Sequence, residues 1–521
     1  MQASNFTAAC RLLVIATIIL ITLPASAQKI YESLPVGKYA VGFKIITLTD
    51  SSRMVQPEYN YLGEKNEGDR FRKVSIHLWY PAQDELAKRR LTYGDYCYNR
   101  LLTSTNEVID TASKNAHLAE CRQRTERWFG ATTNDAWQTL LSAPMLARAE
   151  ATEVAEKCPL LIGTLRELST SISNELLASN GYVVAMITEA NTGSFAGDAL
   201  QDIPEMQFAM HYLSNNMTID IDKLGCFGFS GSGFVPLLFG MHDSRVKAMA
   251  DIESGVYMDV LYQSFAVSNY YQPSKLTIPF LHIFTRDLSK QEKFISDFTN
   301  KTNHAARYRL IVNQPGMHHW DNAAEGYTSC IFLHNRGDKE TNTKKCFEIE
   351  SNYLLNFFNA MLKDDAQSKT FLSAKPQLAS IPSSLWDIDV LPATKRAPTL
   401  DELTYIIQKK GIKEAMEIVN STIQGDSATD IRVVYMLNGT AYSFFRNKKY
   451  DEAIALFKLN TTLHPGDVNV FDSLAEVYEA TGDTENMKKA AAQVLQLVAN
   501  KSVLTDGEKS AKEVNTRRLA K

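Results

Sequence analysis

Between residues 41 and 314, short apolar runs alternate with helical stretches, and this alternation narrows the fold of the 521-residue chain more than any other feature. The runs at 41–48 and 74–80 switch between apolar and polar residues, as half-exposed strands do. Those at 159–162, 182–187, 224–228, 246–252, 278–284 and 308–312 are more continuously apolar. Strands buried on both faces, with helices between them, form a mostly parallel sheet. One unit is clear in detail: a helix at 173–179, its stop at Asn180-Gly181, then the strand opening at Tyr182. The expected class is therefore α/β, with a mostly parallel eight-stranded sheet covered by helices on both faces.

Two stretches break the alternation. Residues 91–157 are helical in character, rich in Arg, Glu and aromatics, and include Trp128 and Trp137. They are too long for an ordinary connection and read as a helical insertion near the mouth of the sheet. Residues 375–399 contain Pro and Ser and read as a linker, which closes a domain spanning 28–374. Beyond it the chain is helical and repetitive. Leu437, Ala441, Phe444, Ala453 and Phe457 recur as Phe471, Ala475, Tyr478, Met487 and Ala491, a period of 34 residues. That is the tetratricopeptide period, and residues 400–500 are assigned to such repeats, with 501–521 as a tail. Repeats of this kind offer a surface for a protein or peptide partner, or serve only to stabilise the chain.

At the N-terminus, Arg11 precedes an apolar run at 12–23, then Pro24 and Ala25-Ser26-Ala27. This pattern predicts a signal peptide, residues 1–27, cleaved after Ala27. The run is shorter than the ~20 residues of a spanning helix, so no transmembrane segment is expected in the mature chain. Export to the periplasm or beyond follows. The net charge of −4, without long runs of either sign, gives no reason to expect nucleic acid as a partner. Six cysteines follow the leader, and an oxidising compartment permits disulfides. Proximity favours Cys330 with Cys346, then Cys97 with Cys121, while Cys158 and Cys226 read as buried thiols. No cysteine or histidine spacing suits zinc, and no metal is expected from these residues.

The chemistry centres on Gly228-Phe229-Ser230-Gly231-Ser232, which joins an apolar strand to a helix. A sharp strand-to-helix turn lifts a serine clear of a sheet and tolerates only small flanking residues. Ser232 stands where glycine is usual, so the motif is a variant of GxSxG. A dinucleotide loop is excluded, because Pro236 occupies the third glycine position of that fingerprint. A serine nucleophile needs a base, and the base an orienting carboxylate. His319 is the first candidate base, with His318 as the alternative. Asp287, after the 278–284 strand, is the first candidate acid, with Asp251 and Glu253 after the preceding strand as alternatives.

The core from about Leu34 to Leu362 resembles the α/β-hydrolases of the dienelactone hydrolase and platelet-activating-factor acetylhydrolase branch. The landmarks are Leu34-Pro-Val-Gly-Lys-Tyr, Ile76-His-Leu-Trp-Tyr-Pro81, Ala178-Ser-Asn-Gly-Tyr-Val-Val, Ile221-Asp-Lys-Leu-Gly-Cys-Phe-Gly-Phe-Ser230 and Pro315-Gly-Met-His-His319. The resemblance implies hydrolysis of a carboxylic ester through an acyl-enzyme, without metal or organic cofactor; the sequence does not choose among a short acyl, a lipid-like or an acetylated small-molecule substrate. The acetylhydrolases take their acid after the earlier strand, which keeps Asp251 in play. The repeats are similar to those fused to secreted hydrolases of Gram-negative bacteria. In one respect the chain departs from the family. Gly163-Thr164-Leu165-Arg166 replaces the usual glycine-rich oxyanion loop, leaving the N–H of Thr164 or Leu165 to act beside that of Gly231. The rival expectation is a catalytically impaired hydrolase fold that binds a ligand while its repeats recruit a protein.

Overall fold

The computed structural model describes residues 30–521 except 100–101, 103, 106, 167–168, 190–194, 255, 257–258, 286–297, 335–336, 374–375, 377, 379–380, 396–397 and 423–430. The proposed signal peptide thus lies outside the described residues, and among the described residues no helix is long and apolar enough to cross a membrane. The chain divides into two compact units, with the boundary between Ala393 and Thr394.

The described strands of the first unit are β1 (Ala40–Met54), β2 (Phe71–Ala82), β3 (Arg90–Thr92), β4 (Pro144–Ala149), β5 (Cys158–Leu165), β6 (Val183–Thr188), β7 (Ile219–Phe229), β8 (Val246–Ile252), β9 (Phe280–Thr285), β10 (Arg307–Val312) and β11 (Trp386–Leu391). They form one sheet in the order β11-β10-β9-β8-β7-β5-β6-β2-β1-β4-β3. The pairs from β6 through β5, β7, β8 and β9 to β10 are all parallel. Strand β2 runs antiparallel to both β1 and β6. Among the described residues, its helices include α1 (Tyr93–Asn99), α2 (Thr111–Phe129), α3 (Asn134–Leu141), α4 (Ser171–Ser179), α5 (Phe195–Asn216), α6 (Phe234–His242), α7 (Asp259–Ala266), α8 (Ala324–Phe332), α9 (Glu340–Leu362) and α10 (Ala366–Ser373).

Period-two alternation explains the continuously apolar strands. Leu161, Phe227 and Ala250 face one side, where Phe347, Leu354 and Phe358 of α9 cover them. Leu160, Ile162 and Cys226 face the other, against Met206, Met210 and Leu213 of α5 and Leu237 and Leu238 of α6. Both faces are buried, so both parities must be apolar.

The sheet is wider than the eight strands expected, and the three additional strands have local causes. Strands β3 and β4 come from the stretch read as a helical insertion. That stretch also forms α1, α2 and α3, but its end runs along β1 as β4. Strand β11 comes from the stretch read as a linker. It pairs antiparallel with β10 from Trp386↔Val312 to Leu391↔Arg307. Trp386 is fully buried, and its indole N–H donates to Tyr353 Oη at 3.2 Å. A Pro- and Ser-containing approach masked a six-residue edge strand.

The second unit is helical: α11 (Leu400–Lys410), α12 (Ile412–Thr422), α13 (Ile431–Arg446), α14 (Tyr450–Leu463), α15 (Val468–Thr481), α16 (Thr484–Ala499) and α17 (Asp506–Ala520). Leu437, Ala441, Phe444, Ala453, Phe457, Ala475, Tyr478 and Met487 form its core, so most of the periodic positions are the buried ones. The residues read as a tail are instead largely α17. Its Arg518 is buried and reaches back to α15, donating to Asp472 at 2.6 Å and Glu479 at 2.9 Å.

Candidate active site

Strand β7 ends at Phe229, and the chain turns through a single 3-10 turn, Ser230–Gly233, into α6. Ser230 has φ +56°, a left-handed conformation that a side chain rarely adopts without compensation. Space here is scarce. A Cβ on Gly228 would lie 2.5 Å from the Ser232 carbonyl oxygen, and one on Gly163 in adjacent β5 would lie 2.2 Å from the Phe227 oxygen. The Thr164 hydroxyl braces the turn, donating to the Ser232 carbonyl at 3.0 Å.

Beyond β10, a short 3-10 turn, His319–Asn322, carries the histidine. His319 Nε2 is 2.7 Å from Ser230 Oγ. Its ring stacks on Phe229 at 4.9 Å and 21°, and Trp320 packs edge-on at 5.3 Å. Its other nitrogen, Nδ1, is 3.4 Å from Glu253 Oε2. Glu253 is 1 % exposed and has φ +54°. Its Oε1 accepts the Thr285 N–H at 2.5 Å, which fixes the carboxylate from the opposite side.

Of the candidate acids among the described residues, Glu253 is the carboxylate beside His319. Asp251, weighed as an alternative, is engaged elsewhere. Its Oδ1 is 2.5 Å from His282 Nδ1, and its Oδ2 accepts the Ser254 hydroxyl at 2.7 Å. Asp287 lies outside the described residues. His318, the alternative base, points away from Ser230: its Nε2 bonds the Trp128 carbonyl at 3.2 Å, and its ring packs against Phe129 at 5.5 Å. A flanking pair of histidines thus splits, one toward the serine and one toward α2.

Ser230, Gly231, Thr164 and Leu165 line one cavity of about 260 Å³, together with Arg166, Phe229 and Trp320. Arg166 is held by Glu189 at 2.6 Å and Asp198 at 3.1 Å. Behind the histidine, the buried Glu350 of α9 carries a carboxyl held well above the usual range. Burial is the main cause, and the neighbouring carboxylates of Glu253 and Asp321 add to it. The sequence does not mark Glu350 or Phe229 as neighbours of His319, since nothing local ties a helix glutamate or a strand-end aromatic to a distant histidine. Among the described residues, no cluster of His, Cys, Asp and Glu could hold a metal ion.

No protein-family model matches the chain, and no curated protein does either. Among solved structures, a ferulic acid esterase from Streptomyces cinnamoneus is similar to it at a TM-score of 0.46 and 15% identity, covering 69% of this chain and 98% of that one. A likeness this loose carries no argument about chemistry, which has to come from the side chains themselves.

Proposed function

We propose that the first unit is an α/β-hydrolase acting as a serine-dependent carboxylic ester hydrolase. The contact between Ser230 Oγ and His319 Nε2, 2.7 Å at a turn with positive φ, carries the reading. A strained serine within hydrogen-bond reach of an imidazole, itself faced by a buried carboxylate, is the arrangement that activates a hydroxyl.

In this mechanism Nε2 of His319 takes the Ser230 proton as Oγ attacks the ester carbonyl carbon. The C–O bond to the alcohol breaks, and the alcohol leaves with the proton from Nε2. Water then attacks the acyl-serine by the same route and releases the acid. Glu253 holds the Nδ1 proton and stabilises the transient imidazolium. Gly231 N–H, with the N–H of Thr164 or Leu165, is the oxyanion donor pair; losing one such donor costs ~10²–10³ in rate. A cavity of about 260 Å³ falls below the range of ~300–1,000 Å³ usual for drug-sized ligands, which favours a short acyl group over a long lipid chain. Export of the enzyme, and recruitment of a protein by tetratricopeptide-like repeats in the second unit, complete the proposal.

The test is labelling with a fluorophosphonate alongside p-nitrophenyl acetate hydrolysis. Both should be lost in Ser230→Ala and in His319→Ala. Full labelling of Ser230→Ala would remove the nucleophile assignment. A wild-type protein that is folded yet neither labelled nor active would favour the ligand-binding alternative.

A further inference from the structure

The helices of residues 93–129 hold a pair of sulfurs that the proposed ester chemistry does not use. Cys97 lies on α1 and Cys121 on α2, and their Sγ atoms are 3.0 Å apart. Cys121 is buried, whereas Cys97 is partly exposed. Both border a small cavity of about 30 Å³ that also touches Trp79, Tyr96 and Leu165. Leu165 is shared with the wall of the Ser230 cavity. The other four described cysteines, Cys158, Cys226, Cys330 and Cys346, are buried thiols. Of the two pairings that sequence proximity favours, Cys97 with Cys121 has its sulfurs 3.0 Å apart.

We infer that Cys97 and Cys121 are a site of disulfide formation that ties α1 to α2 and braces the wall beside Ser230. The reaction is thiol–disulfide exchange with a low-molecular-weight disulfide. Cys97, the less buried of the two, attacks one oxidant sulfur as its thiolate, a form that the Cys121 sulfur and burial disfavour, and releases the other half as a thiol. The Cys121 thiolate then displaces the remaining half. Each protein sulfur loses one proton and one electron, and the oxidant leaves as two thiols.

The bond sits at the root of a structural lever. Farther along α2, Trp128 lies 5.9 Å from Trp320 and 6.0 Å from His318, and the Trp128 carbonyl bonds the His318 ring. Arg124 of α2 also pairs with Glu325 of α8 at 3.6 Å. Fixing α2 at Cys121 therefore restrains the residue next to Trp320, which lines the Ser230 cavity. The inference stands independently of whether Ser230 turns over an ester.

The experiment uses the full chain incubated with oxidised glutathione, alkylated without reduction, digested and mapped by mass spectrometry. A linked peptide pair carrying Cys97 and Cys121 is expected, lighter by two hydrogens than the two thiol peptides, with Cys158, Cys226, Cys330 and Cys346 alkylated. In addition, the oxidised protein should melt about 5 °C above the reduced one, from closure of the intervening loop. The Cys97→Ser/Cys121→Ser protein should show no such difference. Recovery of Cys97 and Cys121 as alkylated thiols after oxidation, or of either joined to a different cysteine, would overturn the inference.

Discussion

Replacing Glu253 with Gln tests the site at its least obvious member. In the native protein, Glu253 Oε1 accepts the Thr285 N–H at 2.5 Å and Oε2 faces His319 Nδ1 at 3.4 Å. The Thr285 N–H will keep the amide oxygen of a glutamine, so its NH₂ group must face Nδ1. Nδ1 then has to accept a hydrogen bond, and the ring proton moves to Nε2, 2.7 Å from Ser230 Oγ. A protonated Nε2 cannot take the serine proton. Locking a catalytic imidazole in the wrong tautomer costs ~10⁴ in kcat, about 5.5 kcal/mol of barrier. The 3.4 Å contact is longer than the usual 2.7–3.2 Å range, so the native restraint is weaker and a loss of about 10³–10⁴ is expected. The fold should survive, because removing this charge relieves part of the repulsion that holds the Glu350 carboxyl high. The assay is kcat/KM on p-nitrophenyl acetate, with melting temperature as the control. If Glu253→Gln stays within tenfold of wild type while Asp287→Asn abolishes turnover, the assignment of Glu253 is refuted.

Three further outcomes follow from other parts of the molecule. His77, buried in β2, has its pKa lowered by burial to about 4, from an ordinary value of 6.5. It stays neutral in the folded chain while the unfolded chain binds a proton, so its contribution is present above pH ~6.5 and lost as pH falls toward ~4. That amounts to about 3 kcal/mol, measurable as a smaller acid-side drop in denaturant stability for His77→Phe than for wild type. His318→Ala should keep kcat/KM within about tenfold, since that ring bonds the Trp128 carbonyl and not Ser230; a loss as deep as that of His319→Ala would contradict the split between the two histidines. Trp386→Ala should destabilise the first unit by about 3–5 kcal/mol in urea titrations, because it empties a fully buried site at the sheet edge; a neutral effect would mean that β11 contributes little.

The serine and its base were legible because their signals are local. Small residues crowd one turn around Ser230, and His319 follows the last parallel strand. The place of Glu253 beside His319 was not, and the reason is parity. Asp251 and Glu253 are two residues apart, so a continuing strand would aim both at one face. Asp251 keeps the strand register and stands opposite His282. Glu253 lies just past the end of β8 with φ +54°, which swings its side chain toward His319. A backbone reversal of this kind leaves no mark in residue type when the residue is not glycine. Strand β11 was harder to see for a different reason. Trp386-Asp-Ile388-Asp-Val390 does alternate, but the run is short and the prolines and serines before it suggested a connector. The C-terminal helices were read from spacing alone, and most of the periodic positions are among those that pack. The final helix was missed because its exposed faces are charged and only Ala511, Asn515 and Arg518 are buried.

The pairing of β11 with β10 also decides where the two units can be cut apart. Severing the chain at 374 would strip the neighbour from β10 and leave a row of unsatisfied main-chain donors and acceptors beside an apolar hollow once filled by Trp386. Such an edge recruits strands from other molecules, and a first unit prepared that way would precipitate. Severing after Ala393 leaves the border closed.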